Sequence, residues 1–537
     1  MKTKLLKTFA IGLTVFSILA CGKPVVGPNG ETIINIRLMN EIRNAGKVIA
    51  RFQELVKDDP ILSMVLPRIT FITGGSYRDR LNMSLIAQER FDLMFVGSWQ
   101  GLRFFIQQGV FADLTEFFNN DEFPGLQKAF PPDFVQAKTM YIRENDGTFR
   151  RGIFGINLAE FFEDTRGLIY REDLRRAHNL PPITCNDTLI KFFETVIEAE
   201  RQIGNEWLGL DMWNMFHLDT PWYWGKHYGV FAQDSTNLFG DQTHIYIGLS
   251  PDNRTVLNAV VAGDSPEEFA KMPPGFQYDF ITEVAVARAN RWNRFMSPHR
   301  GTGQLEFRPF LAVYTTLSGF ESAVREALDR TPNAEFGFFV FDEAQRNMQP
   351  GAIVSDMVSN NWLVVPAWSE NIYLTMRFLD WMFGSMENHN LFHYGIEGED
   401  WIAIGDYGFK QTDISESQRF VMQTYSFTAN PNFIRKSEFV LSRPELEKRF
   451  RYMYDMSAYV LSPLAGFVFN PAGVQTEIAN VTALSNEMQL NVSRYDADVA
   501  VQRIDRWHRE ATRVGLERVR AELILQLQEF LDYKYAN

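Results

Sequence analysis

Phe91-Asp92-Leu93-Met94-Phe95-Val96-Gly97-Ser98-Trp99 reads as a short buried strand that stops at Gly97-Ser98 and presents an indole. In open α/β sheets the carboxyl ends of the strands border a crevice, so an amphipathic ring placed there is well sited to meet a ligand. The residues upstream fit that setting. Ile33 to Met39 is a candidate strand, Glu41 to Val56 has helical spacing, Ile69 to Thr73 is a second strand, and a helical stretch runs from Ser76 to Glu89. Strand, helix, strand, helix, strand in this order is the pattern of a parallel sheet with right-handed crossovers.

The chain has 537 residues, 45% hydrophobic and 22% charged, which is ordinary globular composition spread over more than one core. Its formal charge of −13 argues against nucleic acid, whose footprint is a basic patch. Lys2, Lys4 and Lys7 precede an apolar run from Phe9 to Ala20 and then Cys21. That is the layout of a secretory signal, since a membrane span needs about 20 apolar residues. Ile18-Leu19-Ala20-Cys21 resembles the bacterial lipobox, which implies cleavage before Cys21 and a lipid on its sulfur. The only other cysteine is Cys185, so an internal disulfide is excluded if Cys21 is lipidated. The expectation is a soluble body on a lipid tether, outside the cytoplasmic membrane.

Further along, Asp187 to Gln202 is an amphipathic helix that leads into the most aromatic stretch, with Trp222, Tyr223 and Trp224 between Pro221 and Gly225. That bracketing puts the three rings on a loop, where binding residues concentrate. Glu160, Glu163 and Asp164 lie close together after Gly155-Ile156 and suit acceptance of ligand hydroxyls or, in an enzyme, acid/base work. No GxSxG, GxxxxGK[ST] or HExxH motif occurs. His389 and His393 share a helical face but lack a third ligand at motif spacing, so packing or surface placement is the expected role.

Three blocks carry a resemblance. SYRDRLNMSLIAQERFDLMFVGSW followed by QQGVFADLTEFF, then GIFGI (152–156) with GLIYREDL (167–174), then NNWLVVPAWSEN (360–371) with HYGIEGEDW (393–401), are similar to the bacterial extracellular solute-binding proteins, family 1. The tail segments PLAGFVFNPAGVQTEIANV and RVGLERVRAELILQLQEF resemble the helical carboxyl-terminal region of that family's lipoprotein branch. The resemblance implies an α/β, two-lobed periplasmic-binding-protein-like fold (type II), each lobe a mainly parallel sheet flanked by helices, with a helical C-terminal extension. Its expected division is a signal over 1–20, a tether over 21–31, lobe one over 32–157 and 308–360, and lobe two over 158–307 and 361–430. Residues 431–537 form the helical region, expected on lobe two.

It also implies the substrate-binding component of an ABC importer, capturing an oligosaccharide by hinge closure, with permease subunits as partners and a monomeric body. Aromatics at 14%, with eleven tryptophans, suit sugar rings, whose C–H faces lie against indoles while hydroxyls meet amides and carboxylates. The expected ligand contacts are Ser98, Trp99, Glu160, Asp211, Trp222, Tyr223, Trp224, Asn361 and Trp362. Some alginate-binding relatives carry a calcium loop; Glu198 to Glu206 lacks its alternating oxygen ligands, so no metal, cofactor or catalytic residue is expected. Two alternatives stay open: a secreted glycan-active enzyme with paired carboxylates, and a peptide-binding or adhesin lipoprotein on the same fold.

Overall fold

A computed structural model describes residues 26–72, 77–97, 100–157, 164–205, 208–211, 230–233, 245–274, 276, 294–297, 310–355, 361–415, 417–422, 427–488 and 497–536. The chain enters as Thr32–Leu38 (β1), Ala45–Leu55 (α1), Val65–Phe71 (β2), Tyr77–Ile86 (α2) and Leu93–Gly97 (β3). β1 pairs parallel with β2 from Thr32↔Val65 to Leu38↔Phe71 and with β3 at Ile36↔Leu93. Leu93, Met94, Phe95 and Val96 are wholly buried, as a central strand covered on both faces must be. Tyr77 of α2 fixes the helix to that strand by donating its hydroxyl to the Phe95 carbonyl at 2.7 Å.

After Leu102–Gln107 (α3) come the hairpin strands Met140–Arg143 (β4) and Phe149–Gly152 (β5), then Ile156–Asn157 (β6). Arg166–Arg171 (β7), Asn186–Gln202 (α4) and Leu210–Asp211 (β8) begin a second body. Val230–Gln233 (β9), Ile245–Leu249 (β10) and Val256–Val260 (β11) make a separate antiparallel sheet. Ala312–Thr316 (β12), Phe320–Arg330 (α5) and Phe336–Phe339 (β13) follow. β12 and β13 both run antiparallel to β7, and β8 lies parallel to β12, giving the order β13-β7-β12-β8. Leu189, Phe192, Phe193, Val196 and Ile197 of α4 fill one face of this sheet. Their three- and four-residue spacing is the apolar stripe of an amphipathic helix.

After Ile353–Ser355 (β14) the chain leaves the second body for a time, and Asn361–Val364 (β15) returns to the first. β15 runs antiparallel to β3, from Asn361↔Gly97 to Val364↔Met94, and pairs with β6 at Trp362↔Asn157. The first sheet therefore has the order β2-β1-β3-β15-β6. Ile372–Gly384 (α6) and Met386–Tyr394 (α7) bury Met376, Phe378, Leu379, Phe383 and Phe392 in the core of that sheet.

These pairings correct the expected division of the chain. Segment 310–355 is bonded into the second sheet and 361–394 into the first, the reverse of the boundaries read from sequence. The cause lies in register: Leu363 and Val364 are buried against Phe95 and Met94, contacts across about half the length of the chain that no local pattern announces. The sheets are also mixed rather than mainly parallel, because β7 pairs antiparallel with β12 and β13, and β15 antiparallel with β3 and β6.

Pro444–Tyr454 (α8) packs Leu446 and Met453 onto the second-lobe core, and Tyr459–Leu461 (β16) pairs parallel with β14. Phe467–Val468 (β17) then pairs parallel with β4. Gln475–Met488 (α9), Ala497–Val514 (α10) and Leu516–Ala536 (α11) complete the chain. Trp507, Ala511, Val519, Leu523, Leu527 and Phe530 of these helices share a core with Ile247 and Ala259 of the β10–β11 pair. Tyr141 of the first-lobe hairpin meets Phe530 edge-on at 5.3 Å, and Phe149 meets it tilted at 6.4 Å. The helical region thus touches the first-lobe hairpin as well as the sheet inserted in the second-lobe segment, and does not rest on lobe two alone. No helix among the described residues is long and apolar enough to cross a membrane.

Candidate functional site

The end of β3, the start of β15 and the end of β6 meet at one edge of the first sheet. Because Trp362 and Asn157 are directly opposed in an antiparallel pair, their side chains share a face. Gly155 gives the indole room: a Cβ there would lie 2.6 Å from Trp362 Cε3. Over the ring stands the Lys138 ammonium, 5.2 Å from Trp362, 4.7 Å from Phe134 and 5.8 Å from Phe130. Phe118, Phe130, Phe134, Ile153 and Ile156 line the recess beside it. Lys138 is buried, and aromatic faces are among the few apolar surfaces that favour a cation.

Polar groups concentrate at the same edge. Gln100 turns back to accept the Gly97 N–H through Oε1 at 2.9 Å, which leaves its Nε2 without a hydrogen bond. Asn157 Oδ1 and Trp362 Nε1 are likewise buried without a hydrogen-bond partner. Unpaired buried polar atoms are rare because each costs roughly 1–3 kcal/mol. Three of them along one sheet edge set it apart from an ordinary core.

On the second lobe, Asp164 opens the strand that follows the first crossing. Its carboxylate accepts the Ser318 N–H at 3.3 Å and the Ser318 hydroxyl. Burial pushes its carboxyl up to about 6, against the opposing influence of Ser318, Thr316 and Arg166. Both lobes therefore offer hydrogen-bonding side chains next to the crossing between Asn157 and Asp164.

Of the residues expected to touch ligand, Asn361 is placed at this edge, buried opposite Gly97. Trp362 is also there but fully buried: it forms the floor beneath Lys138 rather than an open stacking face, which corrects its expected role. Asp211 contributes backbone to β8 beside Val313. Ser98, Trp99, Glu160, Trp222, Tyr223, Trp224 and the lipidation residue Cys21 lie outside the described residues. Gln100, Lys138 and Asn157 were not singled out by sequence. Asn157 had a usable signal, as the last residue before the crossing, whereas Lys138 gains its meaning only from rings brought in by other segments.

Ser369 and Asn371 lie in the turn before α6. Both donate to Asp92 Oδ1, at 2.7 and 3.2 Å, holding the turn to the start of β3. The two histidines at helical spacing are stacked, with centroids 4.1 Å apart and planes within 11°. Both are buried, and His393 Nε2 donates to the Thr428 carbonyl at 2.6 Å. Thr428 in turn donates its hydroxyl to the Asn157 carbonyl. Asp264, His508 and Glu517 bring ligating atoms within 4.8 Å of one another. Arg520 donates to the same Asp264 Oδ1 that meets His508, both at 2.7 Å, so a guanidinium already supplies the positive charge there.

A domain of unknown function, DUF3502, matches residues 463–532, the region of β17 and α9–α11. No curated protein matches the chain by sequence. By structure it is similar to an N-glycan transport solute binding protein (NgtS) from Streptococcus pneumoniae, at TM-score 0.65 and 16% identity over 94% of this chain and 99% of that one. The same protein in complex with Man5GlcNAc gives 0.59 over 94% and 99%, again at 16% identity. The ABC-transporter substrate binding protein FusA from S. pneumoniae, in complex with kestose, gives 0.50 at 11% identity over 94% and 99%. The chain has the two-lobed fold of these binding proteins along nearly its full length.

Proposed function

We propose that this protein is the substrate-binding component of an ABC importer and captures an oligosaccharide between its lobes. The observation that carries the reading is the correspondence over 94% of the chain to a glycan-binding transport protein, with the helical region included. The edge described above supports it chemically. Gln100 Nε2 and Trp362 Nε1 are donors and Asn157 Oδ1 an acceptor, the mixture that sugar hydroxyls complement. Asp164 adds an acceptor from the opposite lobe. A ligand touching both lobes binds the closed arrangement better than the open one and shifts the population toward it. Permease subunits then read the closed form, and a lipid on Cys21 keeps the protein at the membrane outside the cytoplasm, as a monomer.

A thermal-shift series with Man1GlcNAc, Man5GlcNAc and kestose tests this, because a ligand of the native state raises the melting temperature by mass action. A concentration-dependent rise with at least one glycan, recovered intact, is the expected result. Hydrolysis of the glycan would overturn the reading in favour of an enzyme.

A further inference from the structure

Among the described residues the chain passes between the lobes four times. It does so between Asn157 and Asp164, between Ser355 and Asn361, between the first-lobe Phe427 and the second-lobe Phe439, and between β16 and β17. The last passage, Ser462 to Gly466, is short and internally bonded. Ser462 donates its N–H to Ser355 at 2.7 Å, Ala465 to Ser462 at 3.0 Å, and Phe467 to Leu464 at 3.1 Å. Gly466 has φ +83°, and a Cβ there would lie 2.3 Å from the Thr139 carbonyl. Only glycine fits this position.

Lys534, near the end of α11, reaches this passage. Its ammonium donates to the Pro463 carbonyl at 2.8 Å and the Ala465 carbonyl at 3.4 Å, and stands 5.3 Å over the Phe530 ring. No carboxylate among the described residues pairs with it, so its hydrogen-bonding is spent on the passage. The same helix also holds the first-lobe hairpin and the inserted sheet through neighbouring residues. Glu529 binds Arg143 of the first-lobe hairpin at 2.5 and 3.2 Å. Gln528 accepts the Val256 N–H at 2.9 Å and donates to the Arg254 carbonyl at 2.9 Å on the inserted sheet.

We propose that Lys534 clasps the fourth inter-lobe passage, so that the C-terminal helical region, otherwise of unknown function, sets how freely the two lobes move against each other. The proposal deepens the reading of ligand capture between lobes and rests on it for its purpose, but it is testable without ligand. In the full chain carrying Cys21→Ser, the exposed Cys185 at the start of α4 and an Ile86→Cys substitution at the exposed end of α2 take one spin label on each lobe. Lys534→Met is expected to widen the inter-label distance distribution, and Lys534→Arg to keep it as narrow as the parent. An unchanged width in Lys534→Met, with its melting transition intact, overturns the proposal. If Lys534→Met does not fold, hydrogen exchange in the unsubstituted chain decides. Protection of the Ala465 and Phe467 amides equal to that of β4 supports the clasp, and exchange as fast as the exposed turn at Asp146 and Gly147 overturns it. Failure here leaves the glycan reading intact, since neither readout contains a glycan.

Discussion

Arg520 and Asp264 form an ion pair of 2.7 Å in which both side chains are buried, 6% and 2% exposed, joining α11 to the turn after β11. Burial alone would raise the Asp264 carboxyl, but the bonds from His508, Arg520 and the Val261 N–H hold it below the usual carboxylate range. Removing one partner strands a charge that has lost its water. Asp264→Asn is therefore expected to cost about 3–5 kcal/mol, the scale for breaking one side of a buried pair. Denaturant unfolding measures it, and a loss under 1 kcal/mol would mean that the pair behaves as an exposed one.

The stacked histidines predict an acid response of defined sign. Burial lowers His393 to about 4 and His389 well below its ordinary value, with the neighbouring His393 and Arg435 adding to the effect on His389. Both are neutral in the folded chain at pH 7, so the pH slope comes from protonation of the unfolded chain. The unfolded chain takes up protons as pH falls through about 6.5, and stability is lost from there down to the folded value near 4. For His393 alone the loss is about 3 kcal/mol. Melting temperature against pH for the wild type and for His389→Phe with His393→Gln reads the difference, which closes above pH 7. Parallel curves between pH 6.5 and 4.5 would contradict it.

Asp164 carries the opposite sign. Its folded value, raised to about 6, exceeds the ordinary 3.8, so its favourable contribution is full below pH 3.8 and is lost as pH rises through 6. Asp164→Asn keeps an oxygen for Ser318 and is expected to raise the melting temperature at pH 8 relative to wild type, with the gain fading at pH 4. A variant less stable at pH 8 would mean that the charge itself is needed by the Ser318 turn.

Gly155 tests the packing of the sheet edge. A methyl group there meets Trp362 Cε3 at 2.6 Å and the Leu363 carbonyl at 2.9 Å, and the second of these cannot yield. Gly155→Ala is expected to cost about 1–3 kcal/mol through overpacking. The same variant should quench or shift indole emission, because Trp362 is the ring displaced. Unchanged stability would place the indole elsewhere.

Individual elements were legible because their signals are local. The strand Leu93–Gly97 is an uninterrupted apolar run ended by glycine, and α4 carries its stripe from Leu189 to Ile197. The allocation of segments to lobes was not legible, since it depends on Asn361 finding Gly97 and on Thr316 finding Arg166 across long stretches of chain. Of the residues expected at the cleft, Asn361 and Trp362 fall at the sheet edge described above. Asn361 follows from its place before a buried strand. Trp362 was overread, because an aromatic beside a cleft strand looks the same in sequence whether it faces outward or lies under Lys138. Gln100 was missed because a single amide after Trp99 has no pattern, and the same holds for Lys534, whose partners are backbone carbonyls.

The most direct test is calorimetric titration of the purified chain with Man5GlcNAc and a panel of neutral oligosaccharides, with mass spectrometry of the recovered glycan from the same cell. Saturable binding of one glycan per chain, with the sugar recovered unchanged, is the predicted result. Heat without saturation across the whole panel, or cleavage of the glycan, would contradict the account.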